Sequence, residues 1–488
     1  MGSVRRTAAE PMKQLSSLVS HGVKKAASAG GAFSCLVLAL TILIAQRVPI
    51  VSGDTYALAN SSGSLVECLR NHQWLGCPGA TQFGVTQYLP AVLLSWRGMS
   101  PDGIVISLAL INSGSFILLC WIIWKFPLRH LNSRLLMMLC VICSPMIAYA
   151  SFSFGEGLVG FLVAASLYAV CTKNQLLYLI SIVGVVASKE SAVVSIVPII
   201  IAVYLVTPRD RRLTLKRIAI GWIIGAGVLI GFNYFKFGTW RNPVYADPSL
   251  RVSGVQRRIE LFLGVLFSPN GGLFWFWPVF LLLAVVLIIL AIQTTKSIGW
   301  RGAAPQFLAL AGAAAQCIGL SNWFAPFGWV GWGPRLMIPT VVGFVVASVV
   351  IIDSQVVSAK VRKLRSYSVL NIAVITCAIG SVIAAVGFLR DPGSTLAWFG
   401  RVSPTCPTPA VIQQDSAYYF RCLSYGMWNF DRPIIQLSIQ TFSGRWSVAA
   451  LAAVFLVGNQ LVRSKSPGSG IGDIQRGKNH TEHHHTQC

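Results

Sequence analysis

Charged residues are scarce in this sequence, and acidic ones are the scarcest. Only 11% of the 488 residues are charged, with 15 Asp or Glu against 39 Lys or Arg. A soluble domain carries about 25% charged residues, so a soluble globular protein is excluded. There is no Walker loop, dinucleotide fingerprint, zinc-ligand spacing or nucleophile elbow, and no internal repeat is visible. Nothing resembles a nucleic-acid-binding motif either, so nucleic acid is not an expected partner.

Long apolar runs take the place of the missing charge. Hydrophobic residues make up 54% of the chain, and about 20 apolar helical residues cross the hydrocarbon core of a bilayer. The pattern predicts an all-α polytopic membrane protein of about twelve transmembrane helices. We place them at 31–50, 102–124, 135–150, 156–171, 175–188, 191–206, 218–234, 274–293, 304–320, 336–353, 369–389 and 447–462, separating 175–188 from 191–206 at Ser188-Lys189-Glu190.

The positive charges predict the orientation of these spans. With the N-terminus in the cytoplasm, 24 of the 39 Lys and Arg fall in the inner segments, and the short loop at 207–217 is the densest of them. Positive residues accumulate on the cytoplasmic side of membrane proteins, where they meet anionic lipid. Both termini are therefore expected in the cytoplasm, and ten of the 15 acids fall outside.

Three kinds of segment follow from this topology. Residues 1–30 form a basic cytoplasmic tail, 31–462 the membrane domain and 463–488 a disordered cytoplasmic tail. The long outer loops are 51–101, 235–273 and 390–446. In the first of these loops, Leu58, Leu65, Val66 and Leu69 share one helical face, which predicts either an interfacial helix lying on the membrane or a loop helix packed on protein.

Four cysteines fall outside on this map. Outer loops are oxidising, so Cys68–Cys77 and Cys406–Cys422 are plausible disulfides, and other pairings remain open.

Five stretches of the sequence carry a resemblance to a known superfamily. They lie in order between residues 53 and 339, and all of them face outward on the predicted topology. They are Gly53-Asp54-Thr55-Tyr56 with Gln87-Tyr88-Leu89-Pro90, Ser144-Pro145 and Tyr149 with Phe154-Gly155-Glu156, Lys189-Glu190-Ser191-Ala192 with Pro198, Phe237-Gly238 and Tyr245 with Phe267-Ser268-Pro269-Asn270-Gly271-Gly272-Leu273-Phe274, and Trp329-Val330-Gly331-Trp332-Gly333-Pro334-Arg335-Leu336-Met337-Ile338-Pro339.

Together these stretches resemble the GT-C superfamily of membrane glycosyltransferases. The likeness is to the bacterial branch related to protein O-mannosyltransferases and lipid A aminoarabinose transferases. It implies a GT-C-like fold in the bacterial plasma (inner) membrane. It also implies a sugar donor linked to a polyprenyl phosphate or diphosphate, and a glycan, lipid or protein acceptor at the outer face. The sequence departs from the family pattern at Leu89, where a second proline is usual, and at Asn270-Gly271, where Arg or Lys is common.

Two carboxylates are the candidate catalytic residues. By similarity, Asp54 is the acid after the first helix, and it would accept the proton of the attacking hydroxyl. A helix N-cap before Thr55 is the alternative use of Asp54. Glu156 opens a span and would orient the acceptor or tune Asp54; the alternative is an acid that stabilises a helix N-terminus. No cofactor is assigned, although two opposed carboxylates could hold a divalent cation.

Basic and aromatic residues are the candidates for substrate binding. Arg335 follows a Gly-Pro turn and could hold two phosphate oxygens, or bond lipid headgroups instead. Lys189 lies between two apolar spans and needs an anion, which a phosphate or a local ion pair would supply. Arg241 is a weaker phosphate candidate. The remaining substrate contacts are expected from Tyr56, Tyr88 and Trp332, although the tryptophan could equally belong to the interfacial aromatic belt.

The competing hypotheses are a transporter or flippase and a non-catalytic envelope subunit. A transporter of polar cargo would place ionisable residues at the bilayer midplane. Here the acids lie at the outer ends of the predicted spans, which favours an enzyme.

Overall fold

The fold is seen in a computed structural model of the chain. It describes residues 53–129, 131–142, 144, 146–150, 153, 155–268, 271–323, 335–355 and 427–428, all within one compact unit. Three predicted spans (31–50, 369–389 and 447–462), both predicted tails and nearly all of loop 390–446 lie outside the described residues.

The described residues are helical, and their one β contact is an isolated bridge between Arg251 and Trp323. The helices are α1 (Gly53–Arg70), α2 (Val85–Trp96), α3 (Pro101–Lys125), α4 (Leu131–Ile142), α5 (Met146–Tyr149), α6 (Glu156–Thr172), α7 (Gln175–Ser188), α8 (Glu190–Val206), α9 (Leu215–Phe237), α10 (Pro243–Ala246), α11 (Val255–Phe267), α12 (Leu273–Phe276), α13 (Pro278–Ile298), α14 (Ala304–Ser321) and α15 (Ile338–Gln355).

The described part of the chain is all-α, and several of its helices are apolar enough for a membrane protein. By length and composition, five described helices could cross a bilayer: α3, α9, α13, α14 and α15 with the 3-10 turn before it. Helices α6, α7 and α8 are equally apolar but shorter.

Helix α15 lies in the centre of the bundle. Every residue from Ile338 to Asp353 is buried, and α15 packs against α6, α8 and α14. Small residues permit the closest approaches: a Cβ at Gly312 of α14 would lie 2.5 Å from the carbonyl oxygen of Ser195 on α8. Close packing at small residues is how membrane helices associate without a hydrophobic driving force.

Successive long helices run in opposite directions, so their ends collect at two ends of the bundle. We call the end where α3, α6, α8 and α15 begin the upper end, and the opposite one the lower end. At the lower end, the Arg129 backbone amide donates to Asp353 Oδ2 at 2.8 Å. At the upper end, the hydroxyls of Thr86 and Ser188 form a hydrogen bond. Thus residues distant in sequence converge at each end.

One expectation needs correction, and one open alternative can be decided. The predicted span 135–150 is not continuous, because α4 ends at Ile142 and a separate short helix begins at Met146. Of the two alternatives for the apolar face of α1, packing on protein is the one observed: Leu58 and Leu65 are each 1% exposed, in a core cluster shared with α2 and α3.

The first predicted disulfide is confirmed. Cys68 and Cys77 are bonded, whereas Cys406 and Cys422 lie outside the described residues.

Candidate functional site

Three ionisable side chains from different parts of the sequence meet at the upper end of the bundle. Lys189 Nζ lies 2.7 Å from Glu156 Oε1. Arg335, in a 3-10 turn immediately before α15, contributes a second favourable electrostatic interaction with Glu156. Glu156 is 5% exposed and Arg335 7%. We call Glu156, Lys189 and Arg335 the charge cluster.

Local sequence explains why Glu156 and Lys189 occupy these positions. Glu156 is the first residue of α6, where a negative charge interacts favourably with the helix dipole. Lys189 lies in the break between α7 and α8, with a non-helical backbone (φ −145°, ψ 87°). The predicted break between two helices at Ser188-Lys189-Glu190 is therefore confirmed, and it turns the lysine towards the start of α6.

Glu156 is the carboxylate of the charge cluster, and its two oxygens have different surroundings. Oε1 is paired with Lys189. Glu156 Oε2 is buried and accepts no hydrogen bond from the described residues. A buried polar atom is costly unless it is hydrogen-bonded, so Glu156 Oε2 is available to a hydrogen-bond donor.

The helix that carries Asp54 lies beside this cluster. Asp54 is in the first turn of α1, and its side chain is outside the described residues. The next residue, Thr55, is buried and accepts a 2.7 Å hydrogen bond from the Ser153 hydroxyl, three residues before Glu156. Gln87 of α2 packs on Gly155, where a Cβ would lie 2.5 Å from its Cδ. Helices α1 and α2 therefore both reach the beginning of α6.

The other predicted substrate-binding residues have different surroundings. The Tyr56 hydroxyl donates a 2.6 Å hydrogen bond to Asp102 Oδ1, and this bond raises the pKa of Tyr56 above its usual value. Tyr88 is 1% exposed, and its hydroxyl bonds Ser61 and Thr81, so it supports the fold of α1 and α2.

Arg241 and Trp332 complete the predicted set. The Arg241 guanidinium lies 4.3 Å from the ring centroid of the neighbouring Trp240, in the exposed loop after α9. Trp332 lies outside the described residues, as does the Gly-Pro turn before Arg335.

The sequence did not single out three buried polar residues. Lys236, at the end of α9, is 2% exposed. Gln306 and Gln316 of α14 are also buried, and their side chains have atoms that form no hydrogen bond with the described residues. A polar residue within an otherwise apolar stretch of helix was the available signal for all three.

The described part of the chain contains no cluster of side chains that could form a metal site. No three His, Cys, Asp or Glu side chains come together there. The pairing of Asp54 with Glu156 falls outside that finding, because the Asp54 side chain is not described.

Comparison of the chain with models of protein families, with curated proteins and with solved structures finds no match.

Proposed function

We propose that this chain is a membrane glycosyltransferase. It moves a sugar from a polyprenyl-phosphate-type lipid donor to a glycan, lipid or protein acceptor of the cell envelope. The observation that carries the proposal is the buried charge cluster, with two cations and one carboxylate, beside the helix that bears Asp54.

The chemistry assigns each residue a role. The bond between the anomeric carbon and the donor phosphate oxygen breaks, and its electron pair leaves with the polyprenyl phosphate. The acceptor hydroxyl oxygen forms the new bond to that carbon, and its proton goes to Asp54 acting as general base. Arg335 and Lys189 hold the leaving phosphate, whose negative charge grows as the bond breaks. Glu156 keeps the two cations in place and can accept a hydrogen bond from the substrate through Oε2.

The proposed setting is the bacterial plasma membrane. We assign the chain a GT-C-like fold of about twelve spans with both termini in the cytoplasm, so the upper end faces outward. A donor carried by a polyprenyl chain would reach the charge cluster from the outer leaflet. The sequence resemblance and the distribution of positive charge support this assignment.

A transfer assay tests the role of Asp54. Purified protein is given radiolabelled polyprenyl-phosphate sugars and envelope acceptors. Because a general base contributes about 10²–10⁴-fold, the Asp54→Asn variant is expected to transfer sugar at least about 100-fold more slowly. Glu67→Gln removes an exposed acid from the same helix and should transfer at the wild-type rate. Equal rates for wild type and Asp54→Asn would reject the assignment.

The same assay separates the role of Arg335. Arg335→Ala should raise the KM for the donor, because the residue is assigned to the donor phosphate. Arg97→Ala, which removes an exposed arginine at the upper end, serves as the control.

A transporter or flippase for a lipid-linked or polar substrate is the second candidate. Buried amides within an apolar helix favour it, since polar groups inside a membrane often mark a substrate pathway. On this hypothesis, Gln306→Leu and Gln316→Leu would abolish substrate uptake into liposomes, and Asp54→Asn would leave uptake unchanged. Sugar transfer by the purified protein that depends on Asp54 would decide for the enzyme.

A further inference from the structure

The loop 71–84, between α1 and α2, is bound to the end of α9 by its backbone. The amide of Gly76 donates to the carbonyl of Tyr234 at 3.3 Å, and that of Cys77 to the carbonyl of Phe235 at 3.1 Å. The last carbonyls of a helix have no partner within the helix, so the loop supplies donors to them. We call residues 71–84 the tethered loop.

Lys236 adds a side-chain anchor beside these backbone contacts. Its Nζ donates to the carbonyl of Phe83 at 2.7 Å and to that of Thr81 at 3.2 Å. The ammonium also lies 4.8 Å from the ring centroid of Phe232 and 5.3 Å from that of Tyr88, within cation–π range. Glu190, at the start of α8, adds a favourable electrostatic interaction. The buried charge of Lys236 is thus compensated largely by the loop carbonyls, which the ammonium holds in place.

Two further bonds limit the freedom of the tethered loop. The Cys68–Cys77 disulfide joins it to the last turns of α1. The Asn242 side chain donates to the carbonyl of Gln82 at 3.1 Å. The loop is therefore joined both to the helix that carries Asp54 and to α9.

The tethered loop leads directly to the charge cluster. Gly84, its last residue, packs so closely on Ser188 that a Cβ would lie 2.4 Å from the Ser188 Cα. Ser188 precedes Lys189. Gln87, one turn further along α2, contacts Gly155, which precedes Glu156. A displacement of the loop would move both contacts.

From these contacts we infer that Lys236 is a positioning residue: it holds the tethered loop so that α1, with Asp54, and the charge cluster keep a fixed relative placement. Without the ammonium, the carbonyls of Thr81 and Phe83 lose their donor inside the protein and the loop must move to satisfy them. The consequence for sugar transfer rests on the proposed function, whereas the anchoring itself does not.

The test measures the distance between two spin labels and the rate of sugar transfer. Spin labels are attached through ketone-bearing amino acids at positions 60 and 191, which are exposed on α1 and at the start of α8, so the native cysteines stay in place. Pulsed electron paramagnetic resonance then compares wild type with Lys236→Met, Lys236→Arg and the control Lys296→Met, an exposed lysine at the lower end. A single narrow distance distribution is expected in wild type and in the control. The distribution should broaden in Lys236→Met, and in Lys236→Arg it should be narrower than in Lys236→Met.

The transfer assay supplies the second measurement. A small misplacement can cost about 100-fold in rate, so kcat should fall by about 10–100-fold in Lys236→Met with little change in the donor KM. An unchanged distance distribution in Lys236→Met would overturn the inference whatever the rate. A broadened distribution with wild-type kcat would refute the positioning role.

The two measurements also distinguish a failure of this inference from a failure of the proposed function. If wild type transfers no sugar, the proposed function fails and the distance alone decides whether Lys236 anchors the loop. If Lys236→Met does not fold, as judged by size-exclusion chromatography, Lys236→Gln takes its place. Its amide can donate to one carbonyl only, and an unchanged distance there counts against the anchor.

Discussion

At the scale of single residues, the Glu156–Lys189 ion pair places two opposite charges in the interior of the bundle. Its side chains are only 6% and 20% exposed, so each charge depends on the other for compensation. Removing one partner from a buried pair costs about 3–5 kcal/mol, because the remaining charge stays in the interior. Removing Lys189 should cost less stability than removing Glu156, because Glu156 then still interacts with Arg335.

We therefore expect Glu156→Gln to lower the free energy of unfolding by about 3–5 kcal/mol, and Lys189→Met to lower it by less. The double variant should be more stable than the sum of the single effects predicts. Thermal unfolding in detergent measures all three. The control is Asp210→Asn at the exposed Asp210–Arg211 pair, where a change below about 1 kcal/mol is expected. Equal losses at the two pairs would show that the cluster is not effectively buried.

At the scale of helices, glycine positions on α9 distinguish its protein-facing side from its open side. A Cβ at Gly225 would lie 2.9 Å from the Val186 Cβ on α7, and one at Gly221 would lie 2.8 Å from Tyr178 Cε1. A Cβ at Gly227 or Gly231 would meet none of the described residues within 4 Å. The same helix thus contains glycines at which a larger side chain would clash and glycines at which it would fit.

Gly225→Ala is expected to destabilise the protein by about 1–3 kcal/mol, because overpacking forces α7 and α9 apart. Gly227→Ala should instead be neutral or stabilise by up to about 1 kcal/mol, since alanine is the better helix former. The two melting temperatures, measured in the same detergent, make the comparison. A similar fall in both would contradict the packing of α9 on α7.

At the scale of the whole molecule, the two ends of the bundle differ in their chemistry. The upper end holds the charge cluster, the disulfide and the tethered loop. The lower end holds the basic loop 207–217 and the bond between Arg129 and Asp353. A disulfide at one end and concentrated positive charge at the other are typical of opposite membrane faces.

Labelling of introduced cysteines measures this orientation. In a background that keeps Cys68 and Cys77 and lacks the other cysteines, Arg97→Cys should react with a membrane-impermeant maleimide on intact cells. Asp210→Cys should react only after permeabilisation, because the short basic loop is expected in the cytoplasm. Both residues are exposed. The reverse pattern would invert the topology and place the charge cluster on the cytoplasmic side.

Several elements of the fold were predictable from local sequence alone. The break at Lys189 follows from a charged pair between two apolar runs, and Glu156 opens its helix where an acid is favourable. The split of 135–150 was missed, because hydropathy continues through Ser144-Pro145 while the helix does not. The sequence left open whether the apolar face of α1 contacts lipid or protein, because both environments select the same spacing of apolar residues.

By itself, the sequence determined that this is a helical membrane protein and where most of its described helices lie, and it offered Cys68–Cys77 as one disulfide among several possible pairings. Hydropathy, charge and residue spacing are local properties, so they can be read along the chain. Only the tertiary structure decided that Glu156 pairs with Lys189, 33 residues later, that Arg335 joins them, and that Lys236 reaches a carbonyl 153 residues earlier. These contacts depend on which helices become neighbours, and that choice is made by the packing of the whole bundle.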